Sequence, residues 1–244
     1  MCHYAVHTPL QAKQDVTAKH AAKPKTNQKN PVYAAMVQSV DDAVGKILAA
    51  LEDLRLADRT VVIFTSDNGG LLGPTDNAPL RSGKGFPYEG GIRVPVIVRW
   101  PGVVEPGTLC DEPVSSIDYF PTVLQIAGVA LPADRPIDGE SLVPLLRQTG
   151  ALKRQALYWH FPHYRGELGP YSIIRHGDWK LIRRYDGQKR ELYNLAADLG
   201  ERNDLAREMP EKVRQLDAQL SEWLQSTGAR LPRPNPDYRP KAVP

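Results

Sequence analysis

Long apolar runs, paired cysteines and an excess of one charge are all missing from this 244-residue sequence. No run of 18 or more apolar residues occurs, so no membrane-spanning helix is predicted. The two cysteines, Cys2 and Cys110, match no cysteine-based metal spacing. The net charge of +3, from 31 basic and 28 acidic residues, is too balanced to favour binding to nucleic acid.

Basic residues do occur in pairs, at Arg183-Arg184 and Lys189-Arg190. They alternate with aliphatic and aromatic side chains, as exposed positions of strands do. We therefore interpret them as a solvated strand face rather than as a phosphate-binding stripe.

The first residues, MCHYAVHTPLQ, have neither the charged start nor the apolar core of a signal peptide. They are typical of the end of a strand that enters a loop. The expectation is that the chain begins inside a domain.

Helical and strand patterns follow one another in the first 150 residues. Lys13–Asn30 is rich in lysine and poor in apolar groups, which predicts an exposed loop. An apolar stripe with helical spacing then predicts a helix from about Pro31 to about Leu56. Unbroken apolar runs predict strands at Thr60–Thr65 and Val94–Trp100, buried on both faces as in a parallel sheet. A further helix is predicted at Ile117–Ala127, and the whole pattern favours an α/β layered domain.

The pattern changes near residue 150, where short strand-like segments separated by turn dipeptides begin. These segments are Ala156–His160, Tyr171–Arg175, Trp179–Tyr185 and Glu191–Leu195. Their spacing favours an antiparallel meander. An amphipathic helix is predicted to begin at Pro210 and to end at Gly228, and the proline-rich tail 231–244 predicts no regular structure.

Polar side chains with a possible chemical role follow the strand Thr60–Thr65. Asp67 and Asn68 would lie at its carboxyl end, where open α/β sheets collect ligands. Their oxygens suit Ca²⁺ or Mg²⁺, although Asp-Asn-Gly-Gly taken alone favours a simple turn. Lys84 stands between two glycines, where a small anion could approach its ammonium group, although most lysines in loops are simply solvated.

Aromatic and basic side chains are concentrated at 159–165, in the sequence WHFPHYR. His160, His163 and Arg165 could contact a sugar or an aryl group that carries an anionic substituent, because rings stack and cations pair with anions. Aromatic packing is the alternative for the same residues.

Several motifs in order resemble the sulfatase family of the alkaline-phosphatase-like superfamily. They are HYAVHTPLQ, TSDNGG, GKG, EGGIRVP, WPG, GDWKLI and ELYNLAADLGERNDLA. The resemblance covers nearly the whole chain. It implies that residues 1–150 are part of an α/β/α sandwich with a mostly parallel sheet. Residues 151–244 would form a small α+β subdomain with an antiparallel sheet and a C-terminal helix.

The resemblance also implies roles for individual residues. Asp67 and Asn68 would be ligands of a divalent cation, usually Ca²⁺ in this family. Lys84 and His7 would contact the sulfate and the bridging ester oxygen, where positive charge stabilises the departing alcohol. The family also uses a pair of adjacent aspartates, but Asp41-Asp42 lies within the predicted helix 31–56, where adjacent side chains point about 100° apart. We assign that pair to the helix surface.

The implied activity is hydrolysis of aryl or carbohydrate sulfate esters, with a periplasmic or secreted location. The family nucleophile is a formylglycine made in a Cys-x-Pro-Ser-Arg motif, and neither cysteine here stands in one. The expectation is therefore an N-terminally truncated sulfatase that is inactive as it stands. The alternatives are a non-catalytic remnant that binds anions or sulfated sugars, and a phosphate or phosphonate ester hydrolase of the same superfamily.

Overall fold

The structure is a computed structural model, and it describes residues 1–165, 168–233 and 235. It divides into two compact units, Met1–Arg154 and Gln155–Pro244. The sequence pattern predicts a boundary near residue 150. Most of the proline-rich tail, at 234 and 236–244, lies outside the described residues.

The first unit combines helices with a two-stranded sheet. In chain order its elements are α1 (Gln14–Ala21), α2 (Pro31–Asp53), β1 (Val62–Thr65), α3 (Glu89–Ile92), β2 (Val96–Arg99), α4 (Tyr119–Ile126) and α5 (Val143–Leu146). Short 3₁₀ turns precede β1 and α4.

Helix α2 confirms the predicted helix, and its start has a clear physical cause. The Asn30 side chain accepts a hydrogen bond from the backbone N–H of Tyr33 at 3.0 Å, and Pro31 occupies the first helical position. The predicted stripe points inward at Met36, which is buried. Asp41 and Asp42 are both exposed, as expected for the helix surface.

Helix α1 contradicts the loop predicted at Lys13–Asn30. Its residues, QDVTAKHA, include good helix formers, and none of them is buried. The prediction was wrong because it treated lysine and low hydrophobicity as loop signals. The helix instead packs against α2, where His20 Nε2 and Gln38 Oε1 lie 2.9 Å apart.

Strands β1 and β2 pair with each other in antiparallel orientation, with Val62 opposite Arg99 and Thr65 opposite Val96. The parallel orientation and two-sided burial predicted for them are wrong for this pair within the described chain. Phe64 is 38% exposed and Ile97 61% exposed. An apolar run indicates a strand but not its direction. Here the loop 66–95 reverses the chain, so that β2 pairs with β1 in the opposite direction.

Asp118 connects the start of α4 to the end of the first unit. This fully buried carboxylate accepts hydrogen bonds from the backbone N–H groups of Ser115 at 2.7 Å and Glu140 at 3.0 Å. The Arg154 guanidinium donates to both of its oxygens, at 2.5 and 2.6 Å. The buried charge is therefore paired and fully hydrogen-bonded, as a buried carboxylate must be.

The second unit confirms the predicted antiparallel meander followed by a helix. Its elements are β3 (Ala156–Phe161), β4 (Tyr171–His176), β5 (Trp179–Arg184), β6 (Arg190–Asn194) and α6 (Pro210–Ser226). The strands neighbour one another in chain order. The apolar core lies where α6 covers one face of the sheet, with Ile174, Leu181, Leu192, Leu216, Leu220 and Leu224 buried.

Of the basic residues predicted to form a solvated strand face, Lys189 is exposed but Arg183 is not. Arg183 is only 8% exposed, and its Nε donates to Asp217 Oδ1 on α6 at 2.7 Å. Arg190 Nε donates to the same oxygen at 2.8 Å. Lys180 is fully buried and pairs with Glu201 at 2.8 Å. The prediction failed because alternation does not reveal which acidic side chain lies opposite a strand.

Candidate active site

In the loop between β1 and β2, the backbones of separate segments pack directly against one another. The N–H of Gly69 donates to the carbonyl of Gly91 at 3.0 Å, and that of Gly90 donates to the carbonyl of Arg81 at 2.9 Å. A Cβ at Gly69 would overlap the Gly90 carbonyl, and one at Gly90 would overlap the carbonyls of Arg81 and Ser82. These glycines are therefore required for close approach rather than for flexibility.

Asp67 and Asn68 lie immediately after β1, at its carboxyl end. Asp67 is exposed and Asn68 is half-buried, while the Ser66 hydroxyl donates to the Asn68 carbonyl at 2.9 Å. Within the described chain, neither side chain has a hydrogen-bond or ion-pair partner. Their oxygens therefore remain available to a hard cation, which fits the predicted ligands.

Lys84 is brought next to this strand end by a long-range hydrogen bond. Its backbone N–H donates to the carbonyl of Gly70 at 2.9 Å, two residues beyond Asn68. Gly83 is buried, and a Cβ there would overlap the Gly70 carbonyl. Gly85 has a φ of +87°, a conformation that favours glycine. The structure thus joins Lys84 to the segment of Asp67 and Asn68.

Asn77 holds the same loop together, and no sequence pattern identified it. Its side chain forms hydrogen bonds with both backbone groups of Gly70 and with the carbonyl of Ser82. In the sequence TDNAP this residue indicates only a turn. Only the hydrogen bonds of its side chain with Gly70 and Ser82 reveal its role, and the sequence alone does not show them.

His7 lies in a turn of its own near the start of the chain. The ring is exposed, with its Nδ1 2.8 Å from the Thr8 carbonyl, and the Tyr4 hydroxyl donates to the same carbonyl at 2.8 Å. Among the described residues no hydrogen bond links this turn to the loop 66–95. The prediction that His7 and Lys84 act on the same sulfate ester therefore rests on the resemblance and not on a contact between them.

The N-terminal part of the chain does contact the loop through residues before α2. The Gln28 side chain donates to the Asp76 carbonyl at 2.8 Å and accepts from the Thr75 hydroxyl at 2.8 Å. Tyr33 lies beside Thr75 as well. Burial raises the pKa of the Tyr33 hydroxyl, while the hydrogen bond with Thr75 acts in the opposite direction. These contacts support the outer side of the loop.

In the second unit, the predicted substrate-binding residues have different surroundings. Both ring nitrogens of His160 are engaged, with Ser172 Oγ at 2.8 Å and the Arg230 carbonyl at 3.0 Å, which favours a packing role. His163 is exposed, and its ring lies 5.4 Å from that of Phe161.

Arg165 is exposed, and its backbone N–H donates to the Leu168 carbonyl at 2.9 Å. Its positive charge acts on Tyr171. Burial raises the pKa of that hydroxyl, and the charges of Arg165 and Arg184 oppose the increase.

A complete metal site is not formed by the residues that the structure describes. No three His, Cys, Asp or Glu side chains among them come together as a ligand set. As predicted ligands, Asp67 and Asn68 would thus supply two of the about six to eight oxygens that Ca²⁺ takes. No helix in the described ranges combines the length and hydrophobicity needed to cross a bilayer.

Comparison with known protein families gives two matches. The sulfatase family model matches residues 1–129. The chain belongs to the sulfatase family. A second model, for the C-terminal part of N-sulphoglucosamine sulphohydrolase, matches residues 82–229. The range matched by the sulfatase model includes the motifs around Asp67 and Lys84.

Individual sulfatases are similar over most of this chain. A sulfatase of Formosa agariphila is 39% identical over 247 residues, which cover 91% of this chain and 45% of that protein. A solved structure in complex with k-i-k-neocarrahexaose is 31% identical, with a TM-score of 0.80 over 90% of this chain and 48% of its own. Another, in complex with its substrate D-glucosamine-2-N,6-O-disulfate, is 33% identical, with a TM-score of 0.68 over 83% of this chain and 41% of its own.

These sulfatases confirm the predicted α/β fold class. The chain spans less than half the length of each of the three proteins compared.

Proposed function

We propose that this chain supplies the cation-binding and anion-binding loop of a sulfuric ester hydrolase. Asp67 and Asn68 would hold the divalent cation, Ca²⁺ by preference, through their uncommitted oxygens. Lys84 would bind the sulfate group. The observation that carries the proposal is the hydrogen bond from Lys84 N–H to the Gly70 carbonyl at 2.9 Å, which joins the lysine segment to the strand end that carries the two oxygen ligands.

The bound cation would neutralise sulfate oxygens and polarise the sulfur. Lys84 would add a fixed positive charge beside the ester, where negative charge develops on the departing alcohol oxygen. Its flanking glycines carry no side chains that would crowd a small anion beside it.

His7 is proposed as the proton donor to the departing alcohol. A carbonyl oxygen can only accept, so the contact with Thr8 requires that His7 Nδ1 carry a hydrogen. Nε2 is then the ring nitrogen that would carry the transferred proton. The Tyr4 hydroxyl donates to the same carbonyl and steadies this turn.

Sulfatases generally use formylglycine together with a divalent cation. No Cys-x-Pro-Ser-Arg motif occurs in these 244 residues, so no residue of this chain is assigned the role of nucleophile. The proposed substrates are aryl or carbohydrate sulfate esters, which the complexes of the similar structures support. His163 and Arg165, and with less structural support His160, are proposed to contact the alcohol part of the substrate. A periplasmic or secreted location also remains a proposal.

The proposed ligands can be tested by titration calorimetry with CaCl₂ and, separately, with Na₂SO₄. Two oxygen ligands predict weak Ca²⁺ binding, with a Kd of about 1 mM or above. Asp67→Ala should abolish detectable Ca²⁺ binding, and Lys84→Ala should weaken sulfate binding at least about tenfold, because a charge-assisted hydrogen bond is lost. Asp41→Ala and Lys46→Ala, which change exposed residues of α2, are the matched controls. Equal effects of test and control variants would contradict the assignment.

The purified chain should not turn over an aryl sulfate, with or without Ca²⁺, because it contains no motif for the nucleophile. A chromogenic aryl sulfate assay measures this directly. An aryl phosphate and a phosphonate ester, run in parallel, test the alternative esters. Turnover that depends on Ca²⁺ and on Lys84 would show that a nucleophile is present after all.

A further inference from the structure

We infer that Asn77 is a positioning residue that holds the cation-binding and anion-binding parts of the site at a fixed separation. The inference rests on the proposed function of Asp67, Asn68 and Lys84. Asn77 itself touches neither ion in this assignment. It acts through the backbone of the two segments that bear those residues.

The Asn77 side chain bridges the two segments directly. Its Oδ1 accepts from the N–H of Gly70 at 3.1 Å, and its Nδ2 donates to the carbonyl of Gly70 at 2.9 Å. The second hydrogen of Nδ2 goes to the carbonyl of Ser82, also at 2.9 Å. Gly70 follows Asn68 by two residues and Ser82 precedes Lys84 by two, so one amide group connects both sides.

The Gly70 carbonyl makes this bridge cooperative. It accepts from Asn77 Nδ2 and from the backbone N–H of Lys84, both at 2.9 Å, and so uses both of its lone pairs. Loss of the Asn77 amide would leave the Gly70 N–H and the Ser82 carbonyl without this partner. Of the hydrogen bonds that this cluster makes to the Gly70 carbonyl, only the one from the Lys84 N–H would then remain.

Only an asparagine fits this position. Aspartate has the same shape but lacks the two N–H donors. Glutamine is one methylene longer, and the surroundings leave no room for it. A Cβ on Gly70 would lie 2.7 Å from Asn77 Oδ1, and a Cβ on Gly83 would lie 2.7 Å from its Nδ2. The amide is thus enclosed by glycine backbone on both sides.

The fixed separation has a measurable consequence for binding. A cation and an anion bound close together attract each other, and the attraction weakens as their distance increases or varies. Ca²⁺ should therefore raise the affinity for sulfate, and sulfate should raise the affinity for Ca²⁺ by the same factor. If Asn77 sets the distance, its removal should reduce this mutual effect more than it reduces stability.

The test is calorimetric titration of the full chain with Na₂SO₄, with and without CaCl₂, below the solubility limit of calcium sulfate. For the unaltered chain we expect Ca²⁺ to raise sulfate affinity about tenfold. In Asn77→Ala and Asn77→Asp that factor should fall close to one, because both variants remove the two donors. Thr122→Val is the structural control, since Thr122 is buried and its hydroxyl forms two hydrogen bonds with Asp118 and Leu142 backbone groups.

Amide hydrogen exchange by NMR supplies a second readout that does not depend on ion binding. In Asn77→Ala the amides of Gly70 and Lys84 should exchange at least about tenfold faster, while the amides of α2 remain protected. Unchanged exchange together with an unchanged Ca²⁺ effect on sulfate affinity would overturn the positioning role. An equal loss of that Ca²⁺ effect in Thr122→Val would also overturn it, since any destabilised chain would then behave alike.

A failure of the proposed function would look different. The unaltered chain would then bind Ca²⁺ and sulfate without sensitivity to Asp67→Ala or Lys84→Ala, and the positioning role would fall with the site it serves. If those two variants do abolish binding but Asn77→Asp leaves the coupling intact, only the inference about Asn77 is wrong.

Discussion

Replacing Lys180 with methionine should lower the free energy of unfolding by about 3–5 kcal/mol. Lys180 Nζ lies 2.8 Å from Glu201 Oε1, and both side chains are fully buried in the second unit. Without the ammonium group, the Glu201 carboxylate would be buried without its counter-charge. The free-energy cost of that unpaired charge is larger than the net stabilisation that the ion pair provides. Chemical denaturation, followed by circular dichroism, measures the loss.

Two variants separate this explanation from a simple packing effect. Arg214→Met breaks the ion pair with Glu211 on the exposed face of α6 and should cost less than about 1 kcal/mol, because water already screens that pair. The double variant Lys180→Met/Glu201→Gln should be more stable than Lys180→Met alone, since it leaves no unpaired charge. A double variant that is less stable still would point to packing, and not charge, as the dominant contribution of Lys180.

Gly69→Ala should destabilise the first unit by about 3 kcal/mol and should also abolish Ca²⁺ binding. The new Cβ would overlap the Gly90 carbonyl and would press on the Gly91 backbone, to which the Gly69 N–H donates. Since both contacts are backbone, neither can yield by changing a rotamer. The strand end that carries Asp67 and Asn68 would have to move away from the Lys84 segment.

Gly45→Ala is the matched control, with the opposite sign. Gly45 lies in the interior of α2, and a Cβ added there would meet no atom within 4 Å outside the helix's own backbone and the neighbouring residues. The substitution should raise the free energy of unfolding by about 0.5–1 kcal/mol, because alanine loses less backbone entropy in a helix. Thermal denaturation of both variants gives the comparison. A similar loss in the two would show that glycine flexibility, and not close approach, matters at position 69.

Helices and strands with a strong apolar period were predictable from the sequence. Helix α2, the four-stranded meander and α6 all have apolar side chains at regular spacing in the sequence, and each was predicted within a few residues of its observed bounds. Helix α1 was not, because none of its residues is fully buried and it depends on propensity and on contact with α2. The direction of β2 relative to β1 was not predictable from the sequence, because antiparallel and parallel strands can have the same apolar pattern.

The same distinction applies to the residues of the candidate site. Asp67, Asn68 and Lys84 could be selected from residue chemistry and from motifs because they lie in short, distinctive segments. Asn77 could not, since its role depends on Gly70 and Ser82, to which the loop brings its side chain. The buried ion pairs Asp118–Arg154 and Lys180–Glu201 were not predicted, for the same reason.

The sequence by itself determined the family, the α/β class and the candidate ligands, because these depend on residue type and local order. Only the tertiary structure decided how the loop between β1 and β2 joins Lys84 to the end of β1, with Asn77 and Gly69 at the contacts. It also decided that Lys180 and Arg183 are buried rather than solvated. The physical reason is that hydrogen bonds and ion pairs between distant residues depend on distance and direction, which no local pattern encodes.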